Sequence, residues 1–194
     1  MVTIFSRIGI TGSPGTGKKT LAKRLSAATG YRVININQLC ISKGAILGKD
    51  RYGVIANTQK LKKIVAEQTT HDNFILVGHL LPYVSSPDNL EFIIVLRCNP
   101  YTLSERLKQR GYPEGKVLIN VGAEILGTSY FDTIRRFGKR NVHVIDTSSR
   151  KPQETLTEAL SALNGETKYD GSDIDWLGLA RDKGDLRRFF PDSY

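Results

Sequence analysis

Hydrophobic and polar positions follow two rhythms along this chain. Short continuous apolar runs recur at Thr3–Thr11, Arg32–Ile36, Phe74–Val77, Phe92–Leu96 and Val142–Ile145. Between them, apolar residues fall three and four apart, the spacing of a helix with one buried face. Leu21, Ala22, Leu25 and Ala28 mark a helix over Lys18–Thr29, stopped by Gly30. Asn37 caps a short helix through Cys40 and Ser42 to Gly44, and Thr58 caps another carrying Leu61, Ile64 and Val65. Pro100 opens a helix with Leu103, Arg106, Leu107 and Arg110, which Gly111 ends. Pro113 starts a long helix with Val117, Val121, Ile125 and Phe131, running towards Phe137-Gly138. Pro152 begins a closing helix with Leu156, Ala159, Leu160 and Leu163, while Ala45–Asn57, with Gly48 and Gly53, reads as irregular.

Apolar strands alternating with helices predict an α/β fold, a parallel sheet with helices on both faces. Such sheets bind ligands at the carboxyl ends of their strands. Length suits one domain, over residues 1–165, with a tail at 166–194. The tail is polar yet holds Ile174, Trp176, Leu177, Leu179 and the Phe189-Phe190 pair. Exposed aromatics are a liability, so the tail is expected to dock on its own domain rather than on a partner.

Chemistry enters at the first strand-helix junction, Gly12-Ser13-Pro14-Gly15-Thr16-Gly17-Lys18-Lys19-Thr20. Its spacing fits G-x-x-x-x-G-K, the P-loop or Walker A pattern, in the strand-to-helix setting the pattern requires. Glycines let the backbone curl so that successive N–H groups converge on an anion at a helix N-terminus. Lys18 adds a point charge for the outer phosphates. The next position normally offers a hydroxyl to Mg²⁺, but here it is Lys19, and the hydroxyl arrives one place later at Thr20.

Composition adds one strong feature, a net charge of +9 with a pI near 9.6. A charge this basic suggests a polyanionic partner such as RNA, or a basic surface that serves solubility. Cys40 and Cys98 lack metal-ligand spacing and read as buried free thiols. No apolar run is long enough to span a membrane, and no charged-then-apolar leader precedes the first strand, so the expected location is cytoplasmic.

The P-loop, strand-end Gly78-His79, Val95-Leu96-Arg97 and Glu105-Arg106-Leu107 with Arg110-Gly111-Tyr112 together resemble the atypical adenylate kinases of archaea and the eukaryotic nucleus, the isoenzyme 6 type. Asn120 and Glu124-Ile125 also fit, and the resemblance covers roughly residues 7–160. It implies a P-loop, nucleoside monophosphate kinase-like fold with a monophosphate-binding insert at about 34–57 and a short lid at about 109–118. It implies transfer of the terminal phosphate of ATP to AMP or another monophosphate, ATPase activity, and a role in small ribosomal subunit maturation beside a ribosomal protein and rRNA. Gly15, Thr16, Gly17, Lys18, Lys19 and Thr20 would line the ATP phosphates, Arg110 would contact ATP, and Lys151 would lie near the adenine. Lys18, His79 and Arg106 are the candidate catalytic residues, and Lys18, Arg97, Arg106 and Arg110 the candidate phosphate clamps. Arg106 and Arg110 have the lesser alternative of being solvated surface arginines, and His79 could equally be a satisfied hydrogen-bonding residue.

The chain also departs from that family. Mg²⁺ is expected with ATP, yet Val77 stands where the family has an acid two residues before the histidine. Gln38, Ala56 and Thr58 occupy insert positions where carboxylates are expected. No metal ligand is assigned. These losses leave open a second reading, a nucleotide-gated assembly factor with weakened turnover.

Overall fold

A computed structural model of the chain describes residues 5–191. Seven strands form among them: β1 (Arg7–Gly12), β2 (Arg32–Asn35), β3 (Ile46–Asp50), β4 (Gly53–Ala56), β5 (Phe74–Val77), β6 (Phe92–Arg97) and β7 (Val142–Asp146). The first helices are α1 (Lys18–Thr29), α2 (Ile36–Ser42), α3 (Thr58–Gln68), α4 (Leu81–Val84) and α5 (Pro100–Gln109). The remainder are α6 (Glu114–Ile125), α7 (Thr128–Phe137), α8 (Pro152–Leu163), α9 (Trp176–Asp182) and α10 (Leu186–Phe189). None is long and apolar enough to cross a membrane.

Five strands make one parallel sheet in the order β2-β5-β1-β6-β7. Its middle strands are buried on both faces, which is why their sequences are apolar without alternation. On one face α1 and α8 press Leu21, Leu25, Leu156, Ala159 and Leu163 against Ile8, Ile10, Ile75 and Ile94. On the other, Ile36, Leu61, Val65, Leu81, Tyr130 and Phe137 cover Ile34, Leu76, Ile93, Val95 and Val144. Because β1 is central, its carboxyl end opens between the ends of β5 and β6, in register at Ile10–Val77 and Gly12–Leu96.

Several local expectations need correction. The first strand begins at Arg7 rather than Thr3; Thr3 and Ile4 lie outside the described residues. The cap of α2 is Asn35, not Asn37, and that of α3 is Asn57, not Thr58. Each asparagine has an extended backbone, and its side chain accepts the N–H three residues on. Ala45–Asn57 is not irregular: it contains the antiparallel hairpin β3–β4, whose tip is folded by Asp50 Oδ1 accepting the N–H groups of Tyr52 and Gly53. The long helix after Pro113 is two, because Gly127 turns left-handed (φ 65°) and restarts the chain as α7.

The tail folds back on its domain. Tyr169 bonds along the edge of β7, its carbonyl accepting Val144 N–H and its N–H reaching His143 Nδ1. Beyond it, Ala180 and Phe189 join Cys98, Leu103, Leu107, Val117, Val121 and Ile125 in a third apolar cluster over α5 and α6. The Tyr101 hydroxyl donates to Asp185 and its ring meets Phe189 edge-on. Both cysteines are buried free thiols.

Candidate active site

The junction from β1 to α1 is a loop that only glycine could follow at its key points. Gly12, Gly15 and Gly17 all have positive φ, and Gly17 is the N-cap of α1 without any side-chain cap. The helix ladder starts with Leu21 N–H on Gly17, so the N–H groups of Lys18, Lys19 and Thr20 lack partners in the helix. Such free N–H groups at a helix N-terminus are anion donors. Thr16 is fully buried, its hydroxyl donating to Ser13 and its carbonyl accepting from Thr147, so its side chain holds the loop from inside. The Lys18 ammonium folds across the loop and donates to the carbonyls of Gly12 and Ser13, both at 2.7 Å. Burial, opposed by Glu124 and reinforced by the charges of Arg110 and Lys19, lowers its pKa to about 7.

Two cavities flank this loop. The larger, of about 610 Å³, lies between the loop, the end of β5, α2, the β3–β4 hairpin and the start of α6. Lys18, Lys19, Thr20, Val77, His79 and Arg110 line it. The hairpin and α6 meet across the far wall: Gly115 leaves room for the Tyr52 ring, since a Cβ there would sit 3.1 Å from it. The smaller, of about 220 Å³, lies on the opposite side, lined by Gly15, Thr16, Gly17, Thr20, Arg106, Arg110, Thr147, Arg150 and Pro152. The segment expected as the lid runs through a tight turn from α5 into the start of α6, in which Gly111 (φ 73°) is followed by Tyr112 bonding back to Leu107. It carries Arg110 to the border of both cavities.

The expected site residues divide among these places. Lys18, Lys19, His79 and Arg110 converge on the larger cavity. His79 is half-buried, and burial followed by the Lys18 charge lowers its pKa to about 4, so it is neutral near pH 7. Arg106 lies on the other side. Its guanidinium donates to the carbonyls of Thr147 (2.7 Å) and Ser148 (3.3 Å) and to Cys98 Sγ, fixing the loop after β7. Lys151 is exposed at the N-cap of α8 and lines neither cavity; its neighbours Arg150 and Pro152 line the smaller one.

Arg97 does not reach the cleft as a phosphate clamp. It is 3 % exposed, paired with Glu124 at 2.6 Å, and stacked over the Tyr130 ring. Glu124, itself 1 % exposed, fits the family resemblance, but sequence reasoning assigned it no role. One oxygen accepts from Arg97 Nε and Cys98 N–H, and the other from the Ser13 hydroxyl at 2.6 Å. A single carboxylate therefore ties α6 to the end of β6 and to the underside of the loop. A buried acid inside an otherwise apolar helical face was the available signal.

The residues present do not fit a magnesium centre. Mg²⁺ takes oxygen ligands, normally including one or two carboxylates besides the phosphates. Among the described residues the larger cavity is lined by one carboxylate, Asp50, and its Oδ1 is already committed to the hairpin tip. Among the described residues no group of three or more His, Cys, Asp or Glu stands in a metal-binding arrangement.

Comparison with known proteins agrees with this architecture. A family model described as AAA domain matches residues 8–127. Three archaeal proteins, each named "Putative adenylate kinase", align over nearly the whole chain. That of Methanothermobacter thermautotrophicus is 36% identical over 88% of this chain and 97% of its own. That of Methanocaldococcus jannaschii is 34% identical over 88% and 92%, and that of Thermococcus onnurineus 31% over 87% and 90%. The chain belongs to this archaeal adenylate kinase family. Solved structures show the fold alone. A shikimate kinase from Acinetobacter baumannii in complex with shikimate superposes with a TM-score of 0.62 at 14% identity, over 85% of this chain and 96% of its own. A gluconokinase from Sinorhizobium meliloti gives 0.57 at 20%, over 81% and 91%. The adenylate kinase family member described here thus has a P-loop kinase fold, a parallel sheet flanked by helices.

Proposed function

We propose that the protein is a nucleoside monophosphate kinase that moves the terminal phosphate of ATP to AMP or another monophosphate, with ATPase activity when water replaces the acceptor. The observation that carries this reading is the pair of cavities sharing one phosphate loop and one arginine, Arg110. A triphosphate laid over the loop would put its base in the smaller cavity, beside Arg106, Arg150 and the nearby Lys151, and its last phosphate towards the larger one. An acceptor monophosphate then enters the larger cavity in line with that phosphate. Such transfer needs positioning and charge neutralisation rather than covalent help.

In this reading Gly15, Thr16 and Gly17 shape the cradle, the N–H groups of Lys18, Lys19 and Thr20 hold the phosphates, and Lys18 swings from its two carbonyls onto them. Arg110 contacts both nucleotides. Neutral His79, with a pKa of about 4, offers a ring nitrogen as hydrogen-bond acceptor to the water that attacks when no monophosphate is bound. Arg106 acts by holding the loop that borders the base. The test is diphosphate production from ATP and AMP, followed by a coupled assay across magnesium concentrations. Formation well above a Lys18→Ala control is the expected result, and none above that control removes the reading.

A second reading draws on Val77 and the net charge of +9: a nucleotide-gated factor that binds a small-subunit ribosomal protein or rRNA. It predicts ATP binding without turnover, and affinity for such a partner that changes with the bound nucleotide.

A further inference from the structure

We infer that this site holds the nucleotide polyphosphate without a divalent cation, the Lys19 ammonium supplying the counter-charge that a bound metal would otherwise bring. The inference rests on the phosphate-site reading above and concerns the form of the ligand that site selects. Three features of the larger cavity carry it.

First, Lys19 stands at the first turn of α1, is exposed, and lines the cavity beside Lys18. Its charge is close enough to bear on Lys18. An ammonium there donates to phosphate oxygens and can ligate no cation. Second, the β5 end that faces the loop offers Val77, in register with Ile10 and Asn35 and 2 % exposed, so a branched alkyl group occupies the wall where a hard cation needs oxygen. Third, the cavity is strongly cationic. Lys18, Lys19, Arg110 and Lys116 line it, whereas Asp50 alone among its described lining residues is acidic. Asp50 spends one oxygen on the N–H groups of Tyr52 and Gly53. The remaining oxygen donors, such as Thr20, Asn35, Asn37 and Asn120, are neutral. A free polyphosphate, carrying two more negative charges than its magnesium complex, matches this lining better than the complex does.

The experiment is calorimetric titration of the full chain with ATP in EDTA and in excess magnesium chloride, for the wild type, Lys19→Thr and Lys18→Ala. Wild type should bind ATP in EDTA at least as tightly as with magnesium. Lys19→Thr, at an exposed position that threonine tolerates, should loosen binding in EDTA by about ten-fold while losing less in magnesium. Ten-fold tightening of the wild type by magnesium, or a Lys19→Thr affinity unchanged in EDTA, would overturn the inference and leave the phosphate site standing. No ATP binding by the wild type in either medium would overturn the site itself, and an unchanged affinity in Lys18→Ala would do the same.

Discussion

Removing the Glu124 carboxylate should unfasten the phosphate loop from below. In Glu124→Ala the Arg97 guanidinium stays buried without its anion, while Cys98 N–H and the Ser13 hydroxyl lose their acceptor. Breaking a buried ion pair from one side costs about 3–5 kcal/mol, because the charge left behind is uncompensated. For a domain of this size, about 2–4 °C of melting temperature accompanies each kcal/mol, so the midpoint should fall by about 10 °C. Arg97→Met should cost a similar amount by stranding Glu124. The double variant Arg97→Met/Glu124→Ala should cost less than the two singles together, with a coupling above about 2 kcal/mol, since no charge remains buried. Urea unfolding at pH 7 with linear extrapolation measures all three. Strict additivity would refute the pairing argument. So would an Arg97→Met variant of unchanged stability that no longer binds ADP, because Arg97 would then be acting as a clamp.

Other expectations concern the loop and its titration. The Lys18 pKa of about 7 should rise when phosphate binds, so ATP affinity should be level below about pH 7 and decline above it, with proton uptake on binding at pH 8. Calorimetry in buffers of different ionisation heat reads that uptake, and its absence contradicts the burial argument. The His79 ring resonance should not move between pH 8 and pH 5.5, since its pKa lies near 4; an NMR midpoint near 6.5 would deny the burial and the Lys18 influence. Gly17→Ala should cost about 1–2 kcal/mol of backbone strain, since open space surrounds that position. Gly12→Ala should cost distinctly more, because its Cβ would lie 2.3 Å from the Leu96 carbonyl oxygen. Equal unfolding midpoints for the two variants would contradict this.

What the sequence disclosed, and what it withheld, follows from the range of the forces involved. Phe74–Val77 and Phe92–Leu96 were readable as buried strands because burial on both faces leaves an unbroken apolar run. The loop was readable because positive φ and close neighbours, the Leu96 carbonyl at Gly12 and the Leu103 side chain at Gly15, leave only glycine there. Docking of the tail followed from the penalty of exposing Phe189 and Trp176. The hairpin was missed because its strands are largely exposed and carry little apolar rhythm; only the Asp50-to-Gly53 turn chemistry marks it. The break at Gly127 was hidden because helical spacing resumes in α7 and bridges it by eye. Arg97 misled because a strand-end arginine suits a phosphate, while its partner lies 27 residues away on another element. Pairings over such distances are set by tertiary packing, and the acid within the apolar face of α6 is the single local trace of this one.

The central claim is that backbone N–H groups and one ammonium at the β1–α1 junction grip a nucleotide polyphosphate. Titrating ¹⁵N-labelled protein with ADP and following the backbone amides tests it most directly. The account predicts saturable shifts centred on residues 12–20, which Lys18→Ala abolishes or greatly weakens. Saturation that leaves those amides unmoved while others shift, or no response to ADP at all, would contradict it.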